Sequence, residues 1–438
     1  MLLLLASGIL TQSSAYGADS AAAARGEPVE QACQKIYAKG WHATEGERRD
    51  EFPKLARPEK GEPFADPVYG TCVVRVTAHD REPPTGFARN DYSRRQAFNA
   101  DNTKLFIIAY DGAWHLYDAA SLRYLKPLRA LSGDAEPQWH PTNPDLLYFV
   151  PRDGVGMKLY ELNVRTDEVR IVGDFERRLK KQWPGAYTAW TRSEGSPSAD
   201  LRYWAFQVDD ADWNGLGMFT YDLTTDTILA IYDFKANGRS RPDHLSMSPS
   251  GNYVVVGWDE GPFVFTRDLK GERPLAKNGE HSDLARAADG DDVYVSVDYE
   301  KSGGPVYMVN LRTGERTDLF NSYQMHTATA MHFSGKAFGQ PGWVLMSTYA
   351  DYSRVPLPWS SAPQWLHRKV FAVQLKSNPK ILNLAHDHAA YAKYWTEPQA
   401  SVNRDFTRIL FNSNWDTPSE LDVDAYMIVL PRGAMALP

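Results

Sequence analysis

The sequence is poor in the features that identify several large classes of protein. After the N-terminus, no stretch approaches the ~20 uninterrupted apolar residues of a transmembrane helix. Positive charge is not in excess, and a net charge of −7 argues against general nucleic-acid binding. No phosphate-binding loop, Gly-x-Ser-x-Gly element, dinucleotide fingerprint or calcium loop is present. We therefore expect no membrane span and no nucleic-acid partner.

The N-terminus and the two cysteines indicate the cellular compartment of the protein. The chain opens with MLLLLASGIL and small residues, and Ala15-Tyr16-Gly17 fits a signal-peptidase site. This pattern predicts a signal peptide over residues 1–18 and a secreted or periplasmic protein. In such an oxidising compartment we expect Cys33 and Cys72 to form a disulfide, the alternative being two unpaired thiols.

A repeat of strand patterns determines the predicted fold. Each copy has a segment ending in Ser, Pro or Asn, a turn with Asp or Gly, and then a β-branched or aromatic run. Examples are QAFNADNTKLFIIAYD, PQWHPTNPDLLYFVP, GSPSADLRYWAFQV and LSMSPSGNYVVVGW. Seven copies occur, most followed by a third and a fourth run, which is typical of β-propeller blades. We predict an all-β, seven-bladed propeller with four-stranded antiparallel blades.

One early strand lies outside the repeat. Tyr69–Thr77 has no unit of its own, so we expect it to supply the outer strand of the last blade and close the ring. The predicted organisation is a leader over 19–66 and a propeller over 67–438, as a monomer. Loops that join one blade to the next, and second strands to third strands, share one face, here called the first face. Its long, Pro- and Trp-rich loops indicate a binding site.

The third strands of three consecutive blades carry a possible catalytic set. His115, Tyr160 and Phe219 occupy equivalent positions, and Arg177 and Arg178 begin a long loop of the first face. An imidazole, a phenol and a guanidinium suit removal of a proton alpha to a carboxylate. Side chains in such strands are, however, commonly packing residues, so the structural interpretation stays open.

The segments YSRRQAFNADNTKLFIIAYDGAWHLYDA, DAEPQWHPTNPDLLYF, GMKLYELN and SEGSPSADLRYW resemble secreted seven-bladed polysaccharide lyases, the ulvan lyases and their relatives. The resemblance implies β-elimination at a uronic acid, with Arg177 or Arg178 neutralising the carboxylate. His115 and Tyr160 would divide the base and acid roles, and the sequence leaves open which residue has which role. Where that family has a second histidine, this chain offers Arg94 and Arg95. It has Phe219 in place of a family tyrosine, with Tyr221 nearby.

A second constellation consists of histidines at the starts of innermost strands. His281 and His326 lie in identical register, and His244 lies two residues further along its own strand. Three converging imidazoles can hold a divalent metal such as zinc, manganese or calcium. The set is similar to the manganese-binding His/Gln set of oligogalacturonate-cleaving propellers, to which Gln324 would add an oxygen. Alternatively, these histidines bond only to water and carbonyl groups.

Other residues complete the expected site. We expect His140 and His332 to be structural and to lie near the opposite face. The side chains that we expect to contact sugar are Arg94, Trp114, Trp183, Tyr187, Trp213, Phe219, Tyr221, Trp359 and Trp365. We expect Arg94 or Arg95 to help neutralise the substrate carboxylate. These residues together predict a lyase that acts on an anionic polysaccharide without an organic cofactor. A non-catalytic propeller that binds glycan or protein, and a propeller glycosidase, are the alternatives.

Overall fold

The computed structural model describes residues 27–324, 329–349, 365–390 and 393–436. Within them the chain forms seven antiparallel sheets, the blades of a propeller, with 3-10 turns at Arg152–Gly154 and Tyr394–Thr396 and helices at Val29–Tyr37 and Glu176–Leu179. None of the described helices is long and apolar enough to cross a membrane.

The blades follow one another along the chain and are numbered in that order. Blade 1 contains Lys104–Ile108, Ala113–Asp118 and Tyr124–Ser132, with a single bridge from Phe98 on its inner side. Blade 2 contains Gln138–Trp139, Leu146–Phe149, Lys158–Asn163 and Glu168–Asp174. Blade 3 contains Ala186–Trp190, Tyr203–Asp210, Gly215–Asp222 and Thr227–Asp233.

The remaining four blades have the same antiparallel order. Blade 4 contains His244–Met247, Tyr253–Trp258, Gly261–Thr266 and Arg273–Pro274. Blade 5 contains Ser282–Arg286, Asp292–Val297, Pro305–Asn310 and Arg316–Asn321. Blade 6 contains Ala330–Ser334, Trp343–Tyr349, Lys369–Gln374, Ile381–His386 and Thr44–Glu45, and blade 7 contains Ser401–Val402, Arg408–Ser413, Asp424–Val429, Cys72–Arg75 and Phe64–Ala65.

The inner strands are apolar on both faces because each blade is packed between two others. In blade 4, five of the six residues of Tyr253–Trp258 are buried. Such strands read as continuous β-branched and aromatic runs rather than as alternating ones. The core accordingly consists of layers between neighbouring blades, exemplified by Phe206, Phe219 and Phe175 between blades 2 and 3.

The ring closes through an N-terminal strand, as predicted. Cys72–Arg75 pairs antiparallel with Asp424–Val429, with Cys72 opposite Val429 and Arg75 opposite Tyr426. Cys33 and Cys72 are disulfide-bonded, which confirms the predicted pairing and fixes the first helix to the closing strand. The predicted signal peptide lies outside the described residues.

Candidate active site

The segments that enter the inner strands meet around one buried guanidinium, that of Arg94. Its Nη1 lies 2.6 Å from Nε2 of His244 and 2.9 Å from a carboxylate oxygen of Glu194. Its Nη2 donates to the Ser282 hydroxyl at 3.3 Å. Only 5% of the Arg94 side chain is exposed. These contacts bring together the segment before blade 1, the loop after the first strand of blade 3, and the first residues of blades 4 and 5.

Two further histidines and a tyrosine continue this cluster. Nδ1 of His281 lies 3.1 Å from the Tyr349 hydroxyl. The His281 and His332 rings are 4.4 Å apart, and His332 stacks on Tyr349 at 4.7 Å. Tyr92, whose ring contacts His332, also lies against the Arg94 guanidinium. The set Arg94, Glu194, His244, His281, His332 and Tyr349 is called the central cluster below.

Burial determines the protonation of these groups. Desolvation, reinforced by His332 and Arg94, lowers the pKa of His281 to about 3, and desolvation lowers the pKa of His332 to about 3 as well. Burial disfavours the charge on Arg94, but the Glu194 carboxylate and the other neighbouring groups together outweigh it and raise the pKa of the guanidinium above its ordinary value. At neutral pH, therefore, one cation lies beside two uncharged imidazoles.

Hydrogen bonds assign the tautomer of His244. Because a guanidinium can only donate, Nε2 of His244 accepts from Arg94, and the ring proton resides on Nδ1. Nδ1 faces a carboxylate oxygen of Asp243 at 3.2 Å. The contact with His244 lowers the pKa of Asp243 to about 2. His244 therefore links a buried cation to an ionised carboxylate.

His332 forms a hydrogen-bonded pair with a buried carboxyl group. Its Nε2 lies 2.7 Å from Glu397, whose pKa burial raises to about 8. The other ring nitrogen, Nδ1, has no hydrogen-bond partner among the described residues. The pair is uncharged overall at neutral pH, because each partner is buried in its neutral form.

A cavity of about 400 Å³ opens beside the cluster. It lies between the entries to blades 4 and 5, and we call it the central cavity. Its polar walls include Arg94, Glu194, Asp243, His244, Asp259, Glu280, His281 and Tyr294. The cavity thus gives a small molecule access to a guanidinium and to a neutral imidazole in one place.

The described contacts of the residues predicted to be catalytic are local to each side chain. His115 lies 8% exposed within blade 1, where Nδ1 is 3.4 Å from the Tyr124 hydroxyl. Tyr160 stacks on Phe149 at 5.3 Å. Arg178 pairs with Asp226 at the outer strand of blade 3. Their catalytic roles stay a prediction. Each of the three side chains contacts a different neighbour.

The other two arginines of the predicted set also separate. Arg177 lines a shallow surface cavity with Glu176 and Lys180. Arg95 is buried, pairs with Asp91 at 2.9 Å and donates to backbone carbonyls of Ser193 and Gly195. Arg95 therefore links the segment before blade 1 to the loop after the first strand of blade 3, and Arg94 rather than Arg95 lines the central cavity.

Most of the aromatic residues predicted to contact sugar are in fact core residues, which corrects that expectation. Trp114 is 1% exposed and Trp365, Phe219 and Tyr221 are fully buried, so none offers a ring face to a sugar. Trp183 is also buried and donates to Asp233. Trp213 and Tyr187 are exposed, 41% in the case of Trp213. Trp359 lies outside the described residues.

The predicted metal ligands are placed only in part. His244 and His281 both line the central cavity, whereas His326 lies outside the described residues. Within the described part of the chain, Glu194, Asp243 and His244 form a group whose ligand atoms lie within 4.8 Å of one another. The candidate donor set is therefore two carboxylates and one imidazole.

Three members of the central cluster were not predicted as functional. His332 was expected near the opposite face, but it lies against His281, because the connection 335–342 shifts the register counted back from the turn. Glu194 lies in a loop without strand periodicity, in the segment SEGSP. Tyr349 ends the second strand of blade 6. Its hydroxyl reaches His281 of blade 5 because the two blades are neighbours in the propeller. The sequence analysis singled out the segment SEGSPSADLRYW, which contains Glu194, but only for its resemblance to the lyases.

Comparisons with known proteins show the fold. No protein-family model and no curated protein matches this chain. An oligogalacturonate lyase solved in complex with manganese is similar, with a TM-score of 0.59 and 16% identity over 90% of this chain and 99% of that one. An oligogalacturonate lyase from Vibrio parahaemolyticus is also similar, with a TM-score of 0.59 and 14% identity over 86% of this chain and 100% of that one. The chain therefore shares the propeller fold of these two proteins.

Proposed function

We propose that this chain is a polysaccharide lyase that cleaves the glycosidic linkage to a uronic acid by β-elimination. The observation that carries the proposal is a buried guanidinium, Arg94, in the wall of the same cavity as the neutral imidazole of His281. The propeller likeness to two lyases agrees with it. The substrate would be an anionic polysaccharide, and the disulfide supports a secreted or periplasmic location.

Each group has a chemical task in this reaction. Arg94 pairs with the uronate carboxylate and stabilises the negative charge that develops on it when the C5 proton is removed. His281 takes that proton on Nε2, in the tautomer whose Nδ1–H donates to Tyr349. The C5–H electron pair then forms the C4–C5 double bond, the C4–O bond breaks, and Tyr349 protonates the leaving oxygen.

Substrate binding itself prepares the base. In the free protein, burial lowers the pKa of His281 to about 3, which keeps the imidazole unprotonated but makes it a weak base. A uronate carboxylate entering the central cavity raises that pKa, because negative charge stabilises the imidazolium. His332, stacked on Tyr349 and held by Glu397, positions the two reacting groups.

A divalent metal is consistent with the manganese of one similar lyase. Glu194, Asp243 and His244 would hold it, a donor set that suits manganese or calcium. The central cavity has one guanidinium and four acidic side chains, Glu194, Asp243, Asp259 and Glu280, whose negative charge would repel a uronate. A bound cation would offset part of that negative charge. A metal held by Nδ1 of His244 would leave the ring proton on Nε2. Metal binding would therefore require Arg94 to release Nε2.

The proposal is tested by the product. We expect the protein to generate the ultraviolet absorbance of an unsaturated uronate from a glucuronate or galacturonate polymer. Reducing ends measured in parallel separate a lyase from a glycosidase, and saturable binding without either product identifies a non-catalytic propeller.

Variants then locate the base. His281→Ala should lower the rate ~100-fold or more, because the proton acceptor is removed. His42→Ala, which removes an exposed imidazole from the leader, is the matched control and should keep the wild-type rate. Loss of activity in His115→Ala, with activity retained in His281→Ala, would instead place the reaction in blade 1 and refute the central cluster.

A further inference from the structure

The loop after the first strand of blade 3 contains Glu194 and leaves the sheet. Trp190 ends that strand, paired with Gln207 of the second strand, and Ser198 is bonded to the second strand again through its N–H, which donates to a carbonyl oxygen at 2.9 Å. Residues 191–197, here called the blade 3 loop, lie between these two points. The loop has more residues than the second strand has opposite it, so its side chains are re-aimed as they are in a β-bulge.

The backbone of the blade 3 loop is strained where it approaches Glu194. Arg192 has a φ of 57° and Ser193 a φ of 70°, so two successive residues other than glycine are in the left-handed region. Gly195 follows in a crowded position, because a Cβ there would lie 2.0 Å from the carbonyl oxygen of Leu245 in blade 4. Such a conformation persists only where neighbouring groups hold it, and it occurs frequently at functional sites.

The buried carboxylate of Glu136 holds this conformation. Glu136 precedes the first strand of blade 2 and is 4% exposed. Its Oε1 accepts from the backbone N–H of Thr191 at 2.9 Å and from that of Ser193 at 2.7 Å, and its Oε2 lies 3.0 Å from the same Thr191 nitrogen. One side chain of blade 2 therefore satisfies two backbone donors of the blade 3 loop.

Arg95 bonds to the carbonyl groups of the same loop. Its guanidinium donates to the carbonyl oxygens of Ser193 and Gly195, at 3.4 Å for Gly195. Burial raises the pKa of Glu136 to about 7, and the charge on Arg95 limits this increase. The donors of the loop thus face a carboxylate and its acceptors face a guanidinium, which fixes the loop from both kinds of backbone group.

The loop in this conformation places Glu194 beside two members of the central cluster. A Glu194 carboxylate oxygen lies 2.9 Å from Nη1 of Arg94 and 3.7 Å from Nδ1 of His244. Glu136 bonds to the backbone on the N-terminal side of Glu194, at Thr191 and Ser193. Because Glu136 is buried behind that backbone, its effect on the cluster is transmitted through the loop.

We infer that Glu136 is a positioning residue of the candidate site, which holds the blade 3 loop so that Glu194 stays on Arg94. The inference rests on the proposed function only for the task of Arg94 toward a substrate. Without the Glu136 carboxylate, the left-handed residues of the loop relax toward ordinary backbone, and Glu194 moves away from Arg94 and His244.

The ring signals of His244 in nuclear magnetic resonance spectra test this contact in the substrate-free protein. The spectra are recorded on histidine-labelled protein at pH 8, where Glu136 is mostly ionised, and His244→Gln identifies the signals. Glu194→Gln should shift them. Glu136→Met, which removes both acceptor oxygens, should shift them in the same direction, and Glu136→Gln, which keeps one oxygen, should shift them less.

The double variant distinguishes positioning from a separate structural effect. Glu136→Met combined with Glu194→Gln should shift the His244 signals no further than Glu194→Gln alone, because a residue that acts through another has no effect once the other is removed. Additive shifts, or signals that Glu194→Gln leaves in place, overturn the inference. If Glu136→Met does not fold, Glu136→Gln decides, and unmoved His244 signals in that variant overturn it as well.

Glu161→Gln is the matched control. Glu161 is another buried carboxylate of blade 2, which accepts from the Tyr148 hydroxyl and pairs with Arg170. Its replacement should lower the denaturation midpoint and leave the His244 signals in place. A shift of these signals as large as that of Glu136→Met would show a general response to lost stability and overturn the inference.

Turnover then separates this inference from the proposed function. If the lyase product forms, Glu136→Met should lower its rate by up to about 100-fold, because a displacement of about 1 Å in a reacting group has an effect of that order. A wild-type rate in Glu136→Met overturns the positioning role. Coupled His244 signals without any lyase product support the role of Glu136 and instead contradict the proposed function.

Discussion

At the scale of single residues, Arg94 organises the candidate site. It is the group through which the segment before blade 1, a loop of blade 3 and the first strands of blades 4 and 5 make contact. Taking a guanidinium out of water costs several kcal/mol, so the site is stable only because Glu194 and His244 bond to it. A buried cation of this kind is a natural partner for a substrate carboxylate, to which arginine can offer two parallel N–H donors.

The sequence identified part of this residue set. His244 and His281 were found because they begin inner strands, where a repeat fixes their position on the ring. Arg94 was found because the resemblance to ulvan lyases expects a second histidine in its segment. Their partners Glu194 and Tyr349 come from a loop and from a neighbouring blade. The contact between them depends on blade twist and loop path, which the spacing of residues within one strand does not encode.

Buried neutral histidines make the stability of the protein sensitive to acid. His332 has a pKa of about 3 in the folded chain and an ordinary one when unfolded, so the unfolded chain binds the extra proton between those values. We predict that His332→Gln reduces the loss of unfolding free energy between pH 7 and pH 4.5 by up to roughly 2–3 kcal/mol.

Chemical denaturation at the two pH values measures this difference. His42→Gln, an exposed histidine on the leader, is the control and should lose as much stability on acidification as the wild type. An unchanged acid sensitivity of His332→Gln would show that His332 is not held in its neutral form.

At the scale of elements, the alternation of side chains along a strand explains why His115 is packed within blade 1. A side chain in the third strand of a blade points into the layer between two blades, not toward the first face. His115 accordingly packs against Tyr124, while the Asp111-Gly112 turn before it presents Tyr110.

The leader is a second element with a structural role. Thr44–Glu45 and Phe64–Ala65 add fifth strands to blades 6 and 7, next to the point where the ring closes. The helix Val29–Tyr37 is tied to the closing strand by the disulfide and by the Tyr37 hydroxyl, which contacts the carbonyl of Val429. The leader therefore covers the outer edges of blades 6 and 7.

We predict that removal of the disulfide by Cys33→Ser lowers the unfolding free energy by about 2–4 kcal/mol, since the crosslink restricts the unfolded chain. Denaturation midpoints measure the effect. Reduction of the wild-type protein should reproduce it, while the same reductant should leave Cys33→Ser unaffected. Equal midpoints for the variant and the oxidised wild type would show that the bond does not secure the closure.

At the scale of the whole molecule, the ring is what makes the site. Residues from 92 to 397 reach one another because seven blades return the chain to its starting point. The fold was predictable because turn chemistry and apolar runs repeat in register, and the orphan strand Tyr69–Thr77 required closure. The composition of the site was less predictable, because it depends on how the entries of different blades converge on the axis.

The claim that depends most directly on this convergence is that Arg94 receives the carboxylate of the substrate. It is tested by binding of a uronate oligosaccharide and its carboxyl-reduced counterpart to the wild type and to Arg94→Met, each in the Tyr349→Phe background. The wild-type arginine should favour the carboxylate form about tenfold or more, and Arg94→Met should bind both forms alike. Undiminished preference for the carboxylate in Arg94→Met would contradict the central cluster as the uronate site.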